Sequence, residues 1–383
     1  MNRTACRALL AAIFAAAVVP VSSVRAWSHQ GHILITRLAA LRIITDPAAP
    51  QGLRDFLKAN MKYDLESCRV MAVSGEDLGP EGKNYVFGLD GACTLPDRII
   101  STAAGKEKIE PYGQPEAKMH FTDMEWLSKE PAFKKDLSNK PDLGAIPKDP
   151  KSPGWQEAGF VPFRVEECYG KLVGEFKKTG GDFSNDEALH WTGYLAHYLE
   201  DAHQPLHATI DYRALSFLDG KVSTVHAVRT KLSGGGESVT YRVDRNASIN
   251  PHGDVEFQLF VNTLEPRKTL REEFWKELTA RVDEKAKGAA EQPVAVAALG
   301  APYDGYTLTL QILSDSYDYL PAIGKAAEAG YASGEFNPEA FFTSTDTVKG
   351  RKLDTIQLIA DRNASAVLQV EAALRHAWAD AHQ

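Results

Sequence analysis

The stretch 190–207, HWTGYLAHYLEDAHQPLH, sets four histidines and two acids among Leu, Tyr and Trp. Imidazoles and carboxylates are costly to bury unless something pairs them, and a metal ion pairs with both. His197 and Asp201 stand four residues apart, so on a helix they share one face, a turn apart. That spacing suits two ligands of one ion, and Asp201, with two oxygens, can bridge a pair. Pro205 cannot continue a helix, so the chain is expected to leave its helical path at HQPLH and re-aim His207 toward a neighbouring ion. Neutral imidazole together with carboxylate suits zinc. His29, His190 and His203 receive no role, although His190 and His203 could support ligands from behind.

Such ligands need rigid elements beneath them. Apolar residues recur at three- and four-residue spacing in 30–46, 162–178, 186–203, 255–286 and 352–378, which predicts long helices and an all-α fold in one domain spanning 27–383. The exception is 222–243, where two alternating β-branched runs flank a Gly-rich turn and predict a hairpin inserted between helices. Residues 79–118 and 136–156, rich in Pro, Gly and Lys, read as loops, and there is no internal repeat.

The 383-residue chain carries a formal charge of −8, so it does not hold nucleic acid by a broad basic face. If it acts on phosphates, the positive charge must be local, and bound cations are one source. At the N-terminus Arg3 and Arg7 precede the apolar run ALLAAIFAAAVVPV, and SVRA follows, the pattern of a leader spanning 1–26 that is removed on export. Cleavage after Ala26 exposes Trp27 and implies a secreted or periplasmic protein; loss of Arg3, Arg7 and Arg25 moves the charge from −8 to −11. No other segment reads as a membrane span. In an oxidising compartment Cys68 and Cys93 are the simplest disulfide pair, which leaves Cys168 over.

HYLEDAHQPLH resembles the core motif of the zinc-dependent phosphodiesterases that include bacterial phospholipase C and the single-strand-specific S-one/P-one nucleases. The resemblance implies an all-α fold of the phospholipase C/nuclease type, three zinc ions and nine ligand residues. It implies that Trp27 binds through its free amine and carbonyl, with His32 of WSHQGH five residues on, the interval of the nuclease branch. MHFTD is similar to the family's His-Phe-x-Asp element, which makes His120 a ligand, Phe121 an apolar face beside the metals and Asp123 a base contact. The family's upstream Asp is best matched by Asp97 in LPDRI, a short motif with other acids nearby. A basic phosphate-holding residue stands three positions after that Asp in the nucleases; here that position is Ile100, and Arg98 is the substitute. For the remaining His and acid, four residues apart, PHGDVEF supplies His252 and Glu256 at the opening of a helix. His226 is the other candidate, but Thr230 stands four residues on and the pattern around it is strand.

By the same resemblance Asp97, His120, His197 and Asp201 hold one ion. Trp27, His32 and the bridging Asp201 hold a second, and His207, His252 and Glu256 a third. Asp97 and Asp201 would be central to hydrolysis of a phosphodiester by water. Three functions compete. A monomeric nuclease acting on single-stranded DNA, RNA or nucleotides is favoured by the Trp27-to-His32 interval, the HQPLH form, and Phe121 with Asp123. A phospholipase C acting on phospholipid head groups is favoured by Glu256 and by HYL before Asp201, although Arg98 stands where that enzyme has a Tyr. A zinc-binding surface protein without catalysis is favoured by Ile100.

Overall fold

Apolar residues at helical spacing wind most of this chain into helix, and the computed structural model describes residues 28–74, 88–129, 132–179, 186–231, 237–244, 246–260, 267–288 and 301–383. The expected leader (1–26) and Trp27 lie outside the described residues. Helices α1 (His29–Thr45), α2 (Gln51–Asn60), α3 (Leu65–Ser74) and α4 (Gly88–Ile99) precede a run of short turns. α5 (Pro153–Ala158) leads into the long α6 (Val161–Thr179) and α7 (Asp186–Ala202). α8 (Leu215–Leu218) and the antiparallel hairpin β1 (Val225–Lys231) and β2 (Glu237–Val243) come next, then α9 (Pro251–Phe257), α10 (Lys268–Ala286), α11 (Gly305–Tyr317), α12 (Leu320–Gly330) and α13 (Pro338–Phe342). A second hairpin, β3 (Thr345–Val348) with β4 (Arg351–Asp354), runs into α14 (Thr355–Ala381). No helix among the described residues is long and apolar enough to cross a membrane.

The centre of the molecule is α7, whose Leu195, Ala196, Leu199 and Ala202 are fully buried, packed among α4, α6 and α14. α14 lies against α1, α6, α7 and α10 and buries Ile359, Val367, Val370 and Leu374; each such side chain contributes about 1.5–3 kcal/mol. Buried charges pin α14 as well. Arg351 donates to both Asp361 oxygens, each at 3.1 Å. The Lys285 ammonium lies 3.2 Å from Asp361, and Tyr319 donates to the same carboxylate at 3.2 Å. One residue on, Arg362 pairs with Asp315 and donates through Nε to the His203 carbonyl at 3.1 Å, which ties α14 to the end of α7.

α4 and α7 approach closely because Gly193 has no side chain: a Cβ there would overlap the Ala92 backbone. The helix dihedrals at Gly193 would tolerate alanine, so the constraint is steric. Gly193→Ala is expected to cost about 1–3 kcal/mol through overpacking and to shift α4, the carrier of Asp97, relative to α7. A urea melt checks the first effect; an unchanged midpoint would mean that the two helices part without strain.

Four expectations need correction. Residues 88–99, read as loop, are helix α4: small residues at Gly91, Ala92 and Cys93 fit beneath α7, and Pro96 is accommodated inside the helix. The expected helix 255–286 is α9 and α10 with a break between them. The expected helix 352–378 begins only at Thr355, after β4. Asp354 caps it through a reciprocal pair with Gln357, which fixes the start three residues later. The β3–β4 hairpin was too short to stand out from its flanks. Finally, Cys68, Cys93 and Cys168 are free and buried. Burial pushes the Cys68 and Cys168 thiols up to about 12 and that of Cys93 well above its ordinary value, so all three stay protonated and unreactive.

Candidate metal centre

Six separate elements deliver the candidate ligands. His32 sits in the first turn of α1, where the Ser28 hydroxyl caps the helix by accepting from Gly31 N–H at 3.3 Å. Asp97 lies in the last turn of α4, buried rather than on a surface turn. His120 follows a single 3-10 turn (Glu116–Met119), and His197 and Asp201 occupy adjacent turns of α7. α7 stops at Ala202, and Pro205 opens the 3-10 turn Pro205–Ala208 that carries His207. The Gln204 carbonyl oxygen caps that turn by accepting from Leu206 N–H, while its amide donates to Glu256 at 3.0 Å. His252 and Glu256 lie one turn apart on α9, which Pro251 starts. All eight side chains are buried.

They meet in three groups, each able to hold a metal ion. In the first, Asp201 Oδ2 lies 3.0 Å from His120 Nδ1 and 3.3 Å from His197 Nε2. Asp97 Oδ1 lies 3.7 and 3.8 Å from the same nitrogens, which are themselves 3.0 Å apart. A tetrahedral zinc with bonds near 2.0–2.1 Å needs donor atoms about 3.3–3.4 Å apart, so these four donors nearly form that cage. The second group joins His32 to His197 and Asp201; His32 Nε2 is 3.5 Å from Asp201 Oδ1 and also 3.9 Å from Asp97 Oδ2. Each aspartate thus directs one oxygen to the first group and the other to His32. The sequence reading gave that bridging role to Asp201 alone. In the third, Glu256 Oε1 lies 2.6 Å from His252 Nε2 and 3.4 Å from His207 Nε2.

The rear nitrogens decide which ring atom is free. His197 Nδ1 faces the Cys93 carbonyl at 2.8 Å, His207 Nδ1 the His120 carbonyl at 2.9 Å, and His252 Nδ1 the Tyr212 carbonyl at 3.0 Å. A carbonyl oxygen only accepts, so each Nδ1 carries the proton and each Nε2 points its lone pair into the group. His32 Nδ1 faces the Glu200 carboxylate at 2.5 Å to the same effect. His120 differs, presenting Nδ1 inward. Burial, then the neighbouring imidazoles, holds His32 and His120 well below the ordinary histidine range, and burial also lowers His197. Neutral rings are the ligand form.

The carboxylates show the complementary need. Burial raises Asp201 well above the carboxylate range, and its ion-pair partners among the described residues are histidines. Asp201 Oδ1, Glu256 Oε2, His32 Nε2 and His207 Nε2 are buried without a hydrogen-bond partner among the described residues. Leaving one such atom unsatisfied costs about 1–3 kcal/mol. A cation in each group would satisfy these atoms and supply the charge that the carboxylates require, so the residues fit the metal.

The expected substrate residues neighbour Asp97 and His120 in the chain. Arg98 follows Asp97 in the last turn of α4 and is half-buried, as is Ile100. Phe121 follows His120, half-buried, with the Lys118 ammonium 5.4 Å from its ring centre. Asp123 is half-buried, and burial, then the Glu125 charge, raises its carboxyl well above the usual range. His226 is exposed on β1 beside Asp244, apart from every group. His190 stacks on Tyr194, with ring centres 4.2 Å apart, and His203 Nδ1 donates to Leu199 O, so neither is placed behind a ligand.

Sequence reasoning missed Glu200, Thr36, Gln204 and Tyr212. Glu200 offered a signal, an acid beside Asp201 in an otherwise apolar helix. The carbonyl of Tyr212 offered none, because any residue has one. No protein-family model matches the chain, and no curated protein sequence matches it at a significant level.

Proposed function

We propose that this chain is an exported trinuclear zinc phosphodiesterase that cleaves single-stranded nucleic acid, in the manner of the S-one/P-one nucleases. The observation that carries the reading is the presence of three buried His/Asp/Glu groups, two of them sharing Asp97 and Asp201, with buried donor atoms left unsatisfied. Export rests on the 1–26 pattern and on Trp27, which would add a terminal amine to the His32 group.

Zinc, when bound, supplies Lewis acidity and positive charge toward a phosphoryl group and makes water a stronger acid. The chain's own residues do the rest. His120 and His197 with Asp97 and Asp201, His32 with the opposite oxygens of both aspartates, and His207 with His252 and Glu256 hold the charges in fixed positions. Arg98, the residue after Asp97, would offer a second source of positive charge toward phosphate. Asp123, with its carboxyl raised toward the protonated state, can donate a hydrogen bond to a base acceptor. Three aromatic side chains support a nucleobase substrate over a head group. Phe121 is next to His120 in sequence. Trp126 is exposed, and its backbone N–H donates to the Asp123 carbonyl at 3.1 Å. Tyr212 is exposed, with its ring centre 5.9 Å from that of His252. Aromatic faces beside a phosphate site suit stacked bases, at about 1–3 kcal/mol each.

The test is release of acid-soluble nucleotides from single-stranded DNA and RNA by the protein processed to Trp27. Activity is expected to vanish with a chelator and return with Zn²⁺. Turnover of phosphatidylcholine with no nucleic-acid cleavage would replace this reading with the phospholipase one, and three bound zincs with neither activity would leave a metal-binding protein.

A further inference from the structure

Consecutive residues of α7 grip His32 from two sides. Asp201 faces Nε2 at 3.5 Å, and Glu200 accepts from Nδ1 at 2.5 Å. The second Glu200 oxygen accepts from the Thr36 hydroxyl at 2.6 Å, one helical turn beyond His32 on α1. The ring face is also covered: His32 stacks on His197 with centres 4.0 Å apart and planes inclined by 23°. His32, Thr36 and Glu200 are all buried. The rear supports of His197, His207 and His252 are backbone carbonyls; His32 alone of these four is backed by a carboxylate.

We infer that Glu200, anchored by Thr36, is a positioning residue that fixes the His32 ring and makes its group bind metal more tightly than imidazole and the shared aspartates would alone. This rests on the metal reading above. A backbone carbonyl fixes the tautomer. A buried carboxylate also increases the basicity of the ring nitrogen that faces the metal. The His32 group needs this most among the described residues. The His32 nitrogen approaches the shared oxygens only at 3.5 and 3.9 Å, and the His197 nitrogen near it also serves the neighbouring group, where His120 and His197 each lie within 3.8 Å of both aspartates.

The experiment measures zinc content and affinity of the Trp27-processed protein by chelator competition, with cobalt substitution as a spectroscopic count of sites. Glu200→Gln keeps the length and an acceptor for His32 but removes the charge. Glu200→Ala removes both, and Thr36→Val removes only the anchor. The expected result is a loss of affinity for one ion of three, about 10–100-fold for Glu200→Ala, less for Glu200→Gln and least for Thr36→Val. The His207/His252/Glu256 group should be unchanged in the same molecule, which no general loss of fold would produce. If Glu200→Ala does not fold, Glu200→Gln decides. Wild-type affinity for all ions in the folded variant overturns the inference while leaving the proposed function standing. A wild-type protein that takes up no divalent ion overturns both.

Discussion

Asp201→Asn is expected to reduce phosphodiester cleavage at least about a thousandfold, which corresponds to ~4 kcal/mol of barrier. Zinc content should fall from three ions toward one. Asp201 Oδ2 serves the His120/His197 group and Oδ1 serves His32, so one substitution withdraws an anionic donor from two groups. Asparagine keeps the shape, but its nitrogen donates where a cation needs a donor of electrons. The third group contains no atom of Asp201 and should keep its ion. Stability should move the other way. In metal-free protein the ion-pair partners of buried Asp201 among the described residues are histidines alone, and burying such a charge is costly. Metal-free Asp201→Asn should therefore melt no lower than metal-free wild type. Metal analysis, a nuclease assay and two calorimetric scans check the set; retention of all three ions would remove Asp201 from its bridging role.

Asp361→Asn is expected to destabilise the folded chain by about 3–5 kcal/mol at neutral pH, the usual consequence of removing one partner from a buried ionic network. Lys285 and Arg351 would then face an amide, with Arg362 next in the chain. The pH dependence follows from the charge balance. Burial alone would raise the Asp361 carboxyl, but the Arg351 hydrogen bonds and the Lys285, Arg351 and Arg362 charges outweigh it and bring it to about 2. A carboxyl lowered on folding stabilises fully above its unfolded value of 3.8. That contribution is lost as pH falls from there through about 2. The gap between wild type and Asp361→Asn should hold from neutral pH down to about 4 and narrow by about 2 kcal/mol below it, as urea unfolding across that range would read. A gap of the same size at pH 2 would show that the cost is packing rather than charge. Because Arg362 holds the His203 carbonyl at the end of α7, weakening this network is also a route to disturbing the metal groups from a distance.

Much of the site was legible because it is local. The i,i+4 pair His197/Asp201 stands on one helix and Pro205 marks the place where α7 must give way, so spacing put those donors together, while His252 and Glu256, also one turn apart, were found through the resemblance. The long helices were legible for a similar reason, since an apolar stripe repeats often enough to identify itself. Where periodicity was short or masked by Gly and Pro, as in α4 and the β3–β4 hairpin, local composition misled, because burial against α7 or α12 outweighs propensity.

The sequence by itself determined which residue types could bind metal, that they ride on helices, and that an acidic chain needs local positive charge to meet phosphate. Tertiary structure decided the rest. It brought Asp97 of α4 and His32 of α1 to opposite sides of Asp201. It set the tautomers through carbonyls of Cys93, His120 and Tyr212, and placed Glu200 rather than His190 or His203 behind a candidate ligand, His32. It also left Cys68, Cys93 and Cys168 as free thiols. The physical reason is range: helix spacing is fixed by bonds within a few residues, whereas the direction of a ring nitrogen or a carboxylate oxygen is fixed by whichever distant backbone packs against it.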